Sequence, residues 1–225
     1  MEGEKIAQVA DIYRRLCDKF GDQNWWPGDS AEEVVIGAIL TQSVSWKNVE
    51  VAISRLRGKR LLSLQALHQT DVSKLALLIK STRFYNEKAR KLKNFTFWIF
   101  NSYGGSLDSM FSRETWELRQ ELLTVKGLGE ETVDSILLYA GNKSIFVVDA
   151  YTMRIFQRLG LAEETWAYRD YQGFFMNNVQ PELRIYNDYH AQIVRLGHLF
   201  CRKKKPLCIE CPLQQLCNFA HLSGY

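Results

Sequence analysis

Four cysteines near the end of the chain limit its fold more than any other feature. Cys201, Cys208, Cys211 and Cys217 follow the spacing C-x6-C-x2-C-x5-C. Four thiolates on so short a segment can surround one soft metal centre, and a compact loop of this kind suits an iron–sulfur cluster or zinc. The alternatives are four unrelated cysteines or two disulfides, but nothing else in the chain indicates an oxidising compartment. Such a loop must pack on helices from elsewhere in the chain.

The composition is that of a globular protein, because 46% of the 225 residues are apolar and 24% are charged. No apolar run is long enough to span a membrane, and the first residues lack the apolar segment of a secretory signal. We therefore expect an intracellular, cytoplasmic protein with no membrane partner, in which clustered thiols stay reduced.

The net charge of +4 is too small a bias to prove a nucleic-acid partner. Basic residues nevertheless gather in the segments 55–60, 88–93 and 202–205. Clusters of this kind can neutralise phosphates. A solvated helix face has the same composition, so that alternative stays open for each segment.

Apolar residues recur at helical spacing along nearly the whole chain, so we predict an all-α fold. Ser30 and Asp71 precede two of these stripes and suit helix N-caps. Further helices are predicted at about 86–103, 113–124, 130–140, 150–159, 166–179 and 181–200. The extended run 144–148 is too short and isolated to found a sheet.

The order of the elements predicts two helical domains, although no long linker separates them. The first is a central domain over 27–143. The second combines both chain ends, 1–26 plus 144–225, because the cysteine loop at 201–217 needs helices to pack on.

A glycine turn separates two helical patterns within the central domain, over about 114–140. Gly127 and Gly129 allow positive φ and let backbone N–H groups approach a ligand. The helix N-terminus that follows favours an anion, and Lys126 adds a positive charge. This hairpin therefore suits a phosphate, with a tight helix connection as the alternative.

Asp149 follows two β-branched apolar residues and stands where a helix begins. Aspartate is a favoured N-cap, so capping alone is sufficient to explain it. A capping carboxylate is also held rigidly, which suits catalysis, and the two roles are compatible.

Together, the G-x-G hairpin, the segment ending in Asp149 and the cysteine spacing resemble the endonuclease III superfamily over roughly residues 25–217. Its members are helix-hairpin-helix DNA glycosylases with a terminal 4Fe-4S loop. The resemblance implies a 4Fe-4S cluster on the four cysteines, with zinc as the competing metal, and phosphate contacts from Lys203 and Lys204. It also implies a monomer, associated with the nucleoid, that binds double-stranded DNA containing a damaged or mismatched base.

The resemblance places the family's catalytic aspartate at Asp149. A carboxylate there stabilises the positive charge that forms on the sugar as an extruded base departs, and it orients a water. Bifunctional members carry a lysine two residues after the second glycine, where this chain has Glu131. A carboxylate forms no Schiff base. We therefore expect a monofunctional glycosylase without AP-lyase activity, which leaves an abasic site.

The tryptophans near the start of the chain resemble the bacterial 3-methyladenine DNA glycosylase branch. There the aromatic residues at the positions of Trp25, Trp26 and Trp46 line the base pocket. Electron-rich rings stack well on a cationic, N-alkylated purine. Core packing is the alternative for each indole.

The same resemblance assigns two residues to the DNA stack. Gln42 matches the position that fills the gap left by the extruded base. Phe84 matches the wedge position, where an apolar side chain supports the kink in the duplex. Ordinary core packing is the alternative for Phe84.

The expected activity is therefore hydrolysis of the N-glycosidic bond of an alkylated purine such as 3-methyladenine, in base excision repair. Adenine-excising relatives carry a glutamate where this chain has Gly37, which argues against their activity. Some members of the 3-methyladenine branch lack the iron–sulfur loop, so this chain combines features of two groups. Two alternatives stay open: a mismatch glycosylase for thymine or uracil opposite guanine, and a non-catalytic module that binds damaged DNA.

Overall fold

The computed structural model describes residues 2–23 and 25–224, and all regular secondary structure in these ranges is helical. The α-helices are α1 (Glu2–Phe20), α2 (Ala31–Leu40), α3 (Trp46–Gly58), α4 (Leu64–Gln69), α5 (Val72–Leu78), α6 (Tyr85–Tyr103), α7 (Leu107–Phe111), α8 (Thr115–Leu123), α9 (Glu130–Ser135), α10 (Ala150–Leu159), α11 (Tyr168–Asn178), α12 (Leu183–Leu199) and α13 (Asn218–Leu222). Two 3-10 turns occupy Lys80–Thr82 and Gln214–Leu216. The predicted all-α class is confirmed.

Both predicted N-caps begin helices. The Ser30 side chain accepts a hydrogen bond from the Glu33 N–H at the start of α2, and Asp71 accepts from two N–H groups at the start of α5. These bonds satisfy donors that a helix cannot pair internally. The predicted helix over 130–140 is correct in extent, but its second half, Ile136–Ala140, is π-helical.

The chain forms two compact units, one over residues 26–143 and the other from the described residues on either side of it. Helix α2 is the buried centre of the first unit, with every residue from Val34 to Leu40 buried. It packs against α3, α6, α9 and the π-helical turn. A helix that is apolar on all sides belongs inside a bundle, which explains this placement.

Helix α12 organises the other unit, where it packs against α1 and α10. Aromatic side chains fill the adjoining core: Phe146 stacks on Phe175 at a centroid distance of 4.0 Å, and Tyr186 meets the Phe146 ring edge-on. No helix in the described ranges is both long and apolar enough to cross a bilayer.

The extended run before Asp149 bonds to side chains of α11. Gln172 donates to the Phe146 carbonyl at 2.8 Å, and the Val148 N–H donates to the Tyr168 hydroxyl at 3.3 Å. Residues 145–148 are all buried. These contacts fix the backbone that leads into Asp149.

Candidate functional site

Asp149 is the N-cap of α10. Its Oδ1 accepts hydrogen bonds from the Thr152 N–H at 2.8 Å and from the Thr152 hydroxyl at 2.9 Å. Only 12% of the Asp149 side chain is exposed. The capping interpretation is therefore confirmed. The carboxylate is held in one orientation by its own helix.

The second oxygen of this carboxylate, Oδ2, lies 4.0 Å from Nε2 of His190 on α12. Burial lowers the pKa of His190 below its ordinary value, and the negative charge of Asp149 opposes that shift only in part. The imidazole is therefore neutral near pH 7. Sequence reasoning missed His190 because it lies far from Asp149 in the chain, within an ordinary helical pattern.

The two hairpin glycines differ in conformation. Gly127 has a φ of +100°, and a Cβ there would lie 2.6 Å from Cγ of Lys91. Gly129 has a φ of −101°, so only Gly127 adopts the positive φ that a glycine allows. At Gly129 a Cβ would meet nothing within 4 Å. Gly129 is the N-cap of α9 and provides no side-chain cap hydrogen bond to this helix.

Charged residues surround this helix end. Lys126 and Glu131 are exposed on either side of the glycines. Beneath them, the buried guanidinium of Arg119 on α8 donates two hydrogen bonds to Asp134 on α9, at 2.7 and 3.0 Å. This ion pair locks the two hairpin helices together.

Two of the predicted base-pocket residues come together in the unit over 26–143. The rings of Trp26 and Trp46 meet edge-on at 5.2 Å, and Tyr139 of the π-helical turn lies 5.1 Å from Trp26. A Cβ at Gly37 would lie 3.4 Å from Nε1 of Trp26 and 3.5 Å from the Trp46 ring, so the backbone of Gly37 lies directly against both indoles. Trp25 lies in the other unit, where it is partly exposed. Sequence reasoning missed Tyr139, because its π-helical placement has no local sequence signal.

The side-chain amide of Gln42 is bonded to the hairpin. Its Nε2 donates to the Thr132 hydroxyl at 2.7 Å and to the Gly127 carbonyl at 3.4 Å. Lys91 on α6 donates to its Oε1. In this structure Gln42 is therefore part of a network that joins the end of α2 to the hairpin and α6.

Phe84 is 65% exposed, so the core-packing alternative is wrong. Its φ is +42° and that of Arg83 is +52°, and both values lie in the left-handed region that residues other than glycine seldom adopt. The Arg83 guanidinium lies 5.7 Å from the Phe84 ring centroid. An apolar ring thus projects from a strained turn.

The basic segment 88–93 is less available to phosphates than its composition predicts. Lys88 is only 2% exposed and donates to two backbone carbonyls. Lys93 donates to three other carbonyls. Phosphate neutralisation is therefore wrong for Lys88.

All four cysteines of the terminal loop line one small cavity of about 20 Å³. Burial raises the pKa of Cys211 to about 11, so without a bound metal this side chain is a neutral thiol at pH 7. Arg158 donates to Sγ of Cys201 at 3.3 Å and to the carbonyls of residues 202 and 203. No three His, Cys, Asp or Glu side chains in the described part of the chain converge as a single metal ion requires.

Lys203 and Lys204 are exposed in this loop. The Arg158 guanidinium, which bonds the backbone beside them, also lies 4.5 Å from the ring centroid of Phe219. The loop backbone is therefore fixed, while the two ammonium groups remain accessible.

Residues 36–181 match the family model described as HhH-GPD superfamily base excision DNA repair protein. A protein of Methanocaldococcus jannaschii that bears the provisional name of DNA repair glycosylase is 46% identical over 218 residues, which cover 96% of this chain and 99% of the relative. Endonuclease III of Sulfolobus acidocaldarius is 26% identical and covers 97% of this chain and 92% of its own length.

Solved structures share the fold. An endonuclease III trapped as a covalent intermediate with DNA superposes with a TM-score of 0.84 at 20% identity, covering 98% of this chain and 99% of that one. The H. pylori 3-methyladenine DNA glycosylase bound to 1,N6-ethenoadenine has a TM-score of 0.72 at 26% identity, with coverage of 87% and 96%. A thermostable thymine-DNA glycosylase has a TM-score of 0.75 at 20% identity, with 98% of both chains covered.

Proposed function

The chain belongs to the HhH-GPD superfamily of base excision DNA repair proteins, and from this premise we propose that it is a monofunctional DNA glycosylase for alkylated purines such as 3-methyladenine. The observation that carries the proposal is the Asp149 carboxylate, held rigidly at the start of α10 by Thr152. The substrate of the protein would be double-stranded DNA containing the damaged base, and the product would be an abasic site.

Asp149 would act at the sugar. Positive charge builds on the sugar ring as an extruded base departs, and a preorganised carboxylate stabilises that charge without reorganising. The same group can orient the attacking water. The neutral imidazole of His190, 4.0 Å from Oδ2, brings no competing positive charge to the carboxylate.

The absence of lyase chemistry is supported by Glu131. This residue occupies the position of the family's lyase lysine, and it is exposed. A carboxylate forms no Schiff base with the opened sugar. Lys126 precedes the glycines and lies at a different position along the turn, where it suits a phosphate.

An alkylpurine substrate is supported by the aromatic residues of the unit over 26–143. Trp26, Trp46 and Tyr139 form a cluster against the bare backbone of Gly37. Stacking on electron-rich rings stabilises a bound cationic purine, and the glycosidic bond of such a purine is already weakened. The likeness to the H. pylori 3-methyladenine glycosylase, at 26% identity, supports the same choice.

We assign the DNA contacts to three regions. The uncapped N-terminus of α9, with Gly127, Gly129 and Lys126, would bind a phosphate through backbone N–H groups and charge. Phe84 would wedge the base stack, with Gln42 filling the gap. Lys203 and Lys204 would bind further phosphates.

We also propose that the four terminal cysteines hold a 4Fe-4S cluster. In such a cube each thiolate binds a different iron, so the sulfurs surround a volume instead of meeting at a point. The four cysteines that line one cavity supply the set of thiolates that such a cluster needs. When bound, the cluster would hold the loop that carries Lys203 and Lys204.

Metal analysis tests this cofactor. The wild-type protein is expected to be brown and to contain iron and acid-labile sulfide, and Cys208→Ser should lose both. Cys17→Ser is the control, since Cys17 is a free cysteine on α1, outside the loop. Stoichiometric zinc without iron would contradict the cluster.

A panel of duplexes tests the substrate. We expect release of free 3-methyladenine from alkylated DNA, and little release from duplexes with G·T or G·U pairs. Preferential release of thymine or uracil would replace the alkylpurine with the mismatch function. Absence of base release from every duplex, with retained binding, would indicate the non-catalytic module. Borohydride should trap no covalent adduct with DNA, and a trapped adduct would contradict the monofunctional assignment.

A further inference from the structure

Lys88 is a buried lysine that the proposed reaction does not use. It lies on α6, and only 2% of it is exposed. Lysine is almost never fully buried unless its ammonium group is paired. Here Nζ donates to the carbonyl of Leu40 at 2.8 Å and to the carbonyl of Thr82.

Each of these carbonyls ends a helical segment. Leu40 is the last residue of α2, and Thr82 is the last residue of a 3-10 turn. Carbonyls at helix C-termini lack partners within the helix and attract cations. The ammonium group of Lys88 therefore links two turns that are far apart in the sequence, one after Leu40 and one after Thr82.

Both turns lead directly to residues assigned to the DNA stack. Gln42 follows Leu40 by two residues, and Phe84 follows Thr82 by two residues. We propose that Lys88 is a positioning residue that holds the Gln42 turn and the Phe84 turn at a fixed separation, so that both side chains can enter the duplex together. This inference rests on the DNA contacts assigned above to Gln42 and Phe84.

Backbone strain explains why the wedge turn needs such support. Arg83 and Phe84 both have positive φ, which costs free energy and persists only where the surroundings impose it. The Ser81 hydroxyl adds a second tie by donating to the Asn48 carbonyl at 2.8 Å. Without the ammonium group of Lys88, the turn would relax and Phe84 would lose its projecting conformation.

The same helix holds the Gln42 turn at another point, since Lys91 donates to Oε1 of Gln42. Burial, with the nearby charges of Lys91 and Arg83, lowers the pKa of Lys88 to about 8. The ammonium form therefore still predominates at pH 7, and its bonds to the two carbonyls are charge-assisted.

Lys93 provides a matched control on the same helix. Its Nζ donates to the carbonyls of Leu67 and Thr70, at 3.2 and 3.0 Å, and to that of His68. It thus ties down the end of α4, which carries no residue assigned to DNA. Lys93→Met removes the same kind of contact as Lys88→Met.

The first experiment measures binding to a duplex with a stable abasic-site analogue and to the matching intact duplex. The preference is the ratio of the affinity for the abasic duplex to the affinity for the intact duplex. We expect Lys88→Met to lower this ratio about tenfold, while the affinity for intact DNA changes little. The fluorescence of a 2-aminopurine next to the abasic site should increase when the wild type or Lys93→Met binds, but not when Lys88→Met binds. Equal losses in both variants, or full retention in Lys88→Met, would overturn the proposal.

A double-mutant cycle separates positioning from general destabilisation. If Lys88 positions both turns, Lys88→Met should reduce the abasic preference less in a Phe84→Ala background than in the wild type, because coupled residues are non-additive and only the contribution through Gln42 remains. Fully additive losses would mean that Lys88 acts elsewhere, and would also overturn the proposal.

Hydrogen exchange of the protein without DNA provides a readout that does not depend on glycosylase activity. Lys88→Met should speed exchange in 41–46 and 81–86, and Lys93→Met should not. Lys88→Gln is the second variant should Lys88→Met fail to fold. If neither folds while Lys93→Met does, Lys88 is structural only and the proposal fails. If no substrate is cleaved, the proposed glycosylase function is wrong, but the preference for the abasic duplex still tests the role of Lys88. If the wild type shows no such preference, the positioning role of Lys88 is wrong.

Discussion

The N-termini of α9 and α10 differ in what lies next to their unpaired backbone N–H groups. Every helix begins with N–H groups that have no partner within the helix. At α10 the chain supplies its own anion, since Asp149 accepts from Thr152 and is largely buried. At α9 the N-cap is Gly129, which offers no side chain, and a Cβ at this position would have no neighbour within 4 Å. One end holds a fixed carboxylate, and the other leaves room for an anion from outside.

This difference is consistent with the different tasks that we propose for the two helix ends. A carboxylate that its own helix fixes cannot be displaced by a phosphate, so it suits chemistry on a neighbouring atom. An uncapped, exposed helix end suits binding. The following substitutions test this contrast, and they are ordered from the largest expected effect to the smallest.

Asp149→Asn should separate catalysis from capping. Asparagine caps a helix about as well as aspartate, so the melting temperature should stay nearly unchanged. The single-turnover rate of base release should fall by roughly 10² to 10⁴, because the charge is lost. Asp71→Asn, at the N-cap of α5, is the control and should change neither quantity. An unchanged rate in Asp149→Asn would end the catalytic assignment.

Gly129→Asp should make the end of α9 resemble that of α10. The new carboxylate would occupy the helix N-terminus and repel a phosphate, so DNA affinity should fall by about tenfold. Stability should rise by no more than a few tenths of a kcal/mol, about the difference between glycine and aspartate as caps. Gly129→Asn adds a neutral cap of the same size, and a smaller loss of affinity there would identify charge as the cause. If Gly129→Asp binds DNA as well as the wild type, the phosphate does not bind at this helix end.

Lys126→Gln should weaken DNA binding uniformly across sequences. Removing one phosphate contact lowers the slope of log affinity against log salt by about 1. Lys74→Gln removes the same charge from the exposed surface of α5 and serves as the control for net charge. Titrations at several salt concentrations measure both slopes, and identical slopes in the two variants would exclude a local contact.

The pH dependence of stability probes the buried surroundings of Asp149. The folded pKa of His190 is lowered below 6.5, so the unfolded chain binds the proton more readily. Stability should therefore decline as the pH falls through about 6.5, and the contribution of His190 to the pH dependence should fade as the pH rises above that value. His190→Gln should make this decline shallower, as measured by melting at pH values between about 5 and 8. His198 is exposed on the same helix, and His198→Gln is the control that should leave the decline unchanged. If the decline is also unchanged in His190→Gln, other groups cause it.

Local patterns predicted much of the fold. The helix beginning after Asp149 runs from Ala150 to Leu159, as the apolar spacing predicts, and the caps at Ser30 and Asp71 are in place. Short helices such as α4 and α7 were not predicted, because one or two turns carry too little periodic signal. The π-helical turn was also missed, since its hydrogen bonding depends on packing around α2.

The candidate site was predictable where chemistry follows from short segments. Asp149 could be identified as an N-cap from its position at a helix start, whereas its catalytic role was expected only from the family resemblance. The cysteines could be identified from their spacing. Phe84 left two interpretations open, because one phenylalanine in an apolar pattern is compatible with core and with surface. Its exposure follows from the strained turn at Arg83, which no rule of local sequence foretells.

The sequence alone determined what depends on neighbours along the chain: helical periodicity, N-caps and the spacing of the four cysteines. Only the tertiary structure decided that Lys88 is buried beneath two turns, that His190 lies beside Asp149 and that Tyr139 joins Trp26. The physical reason is that burial, pKa and contact depend on groups brought together by packing. Those groups are remote in the sequence, so their effects arise only once the helices have assembled.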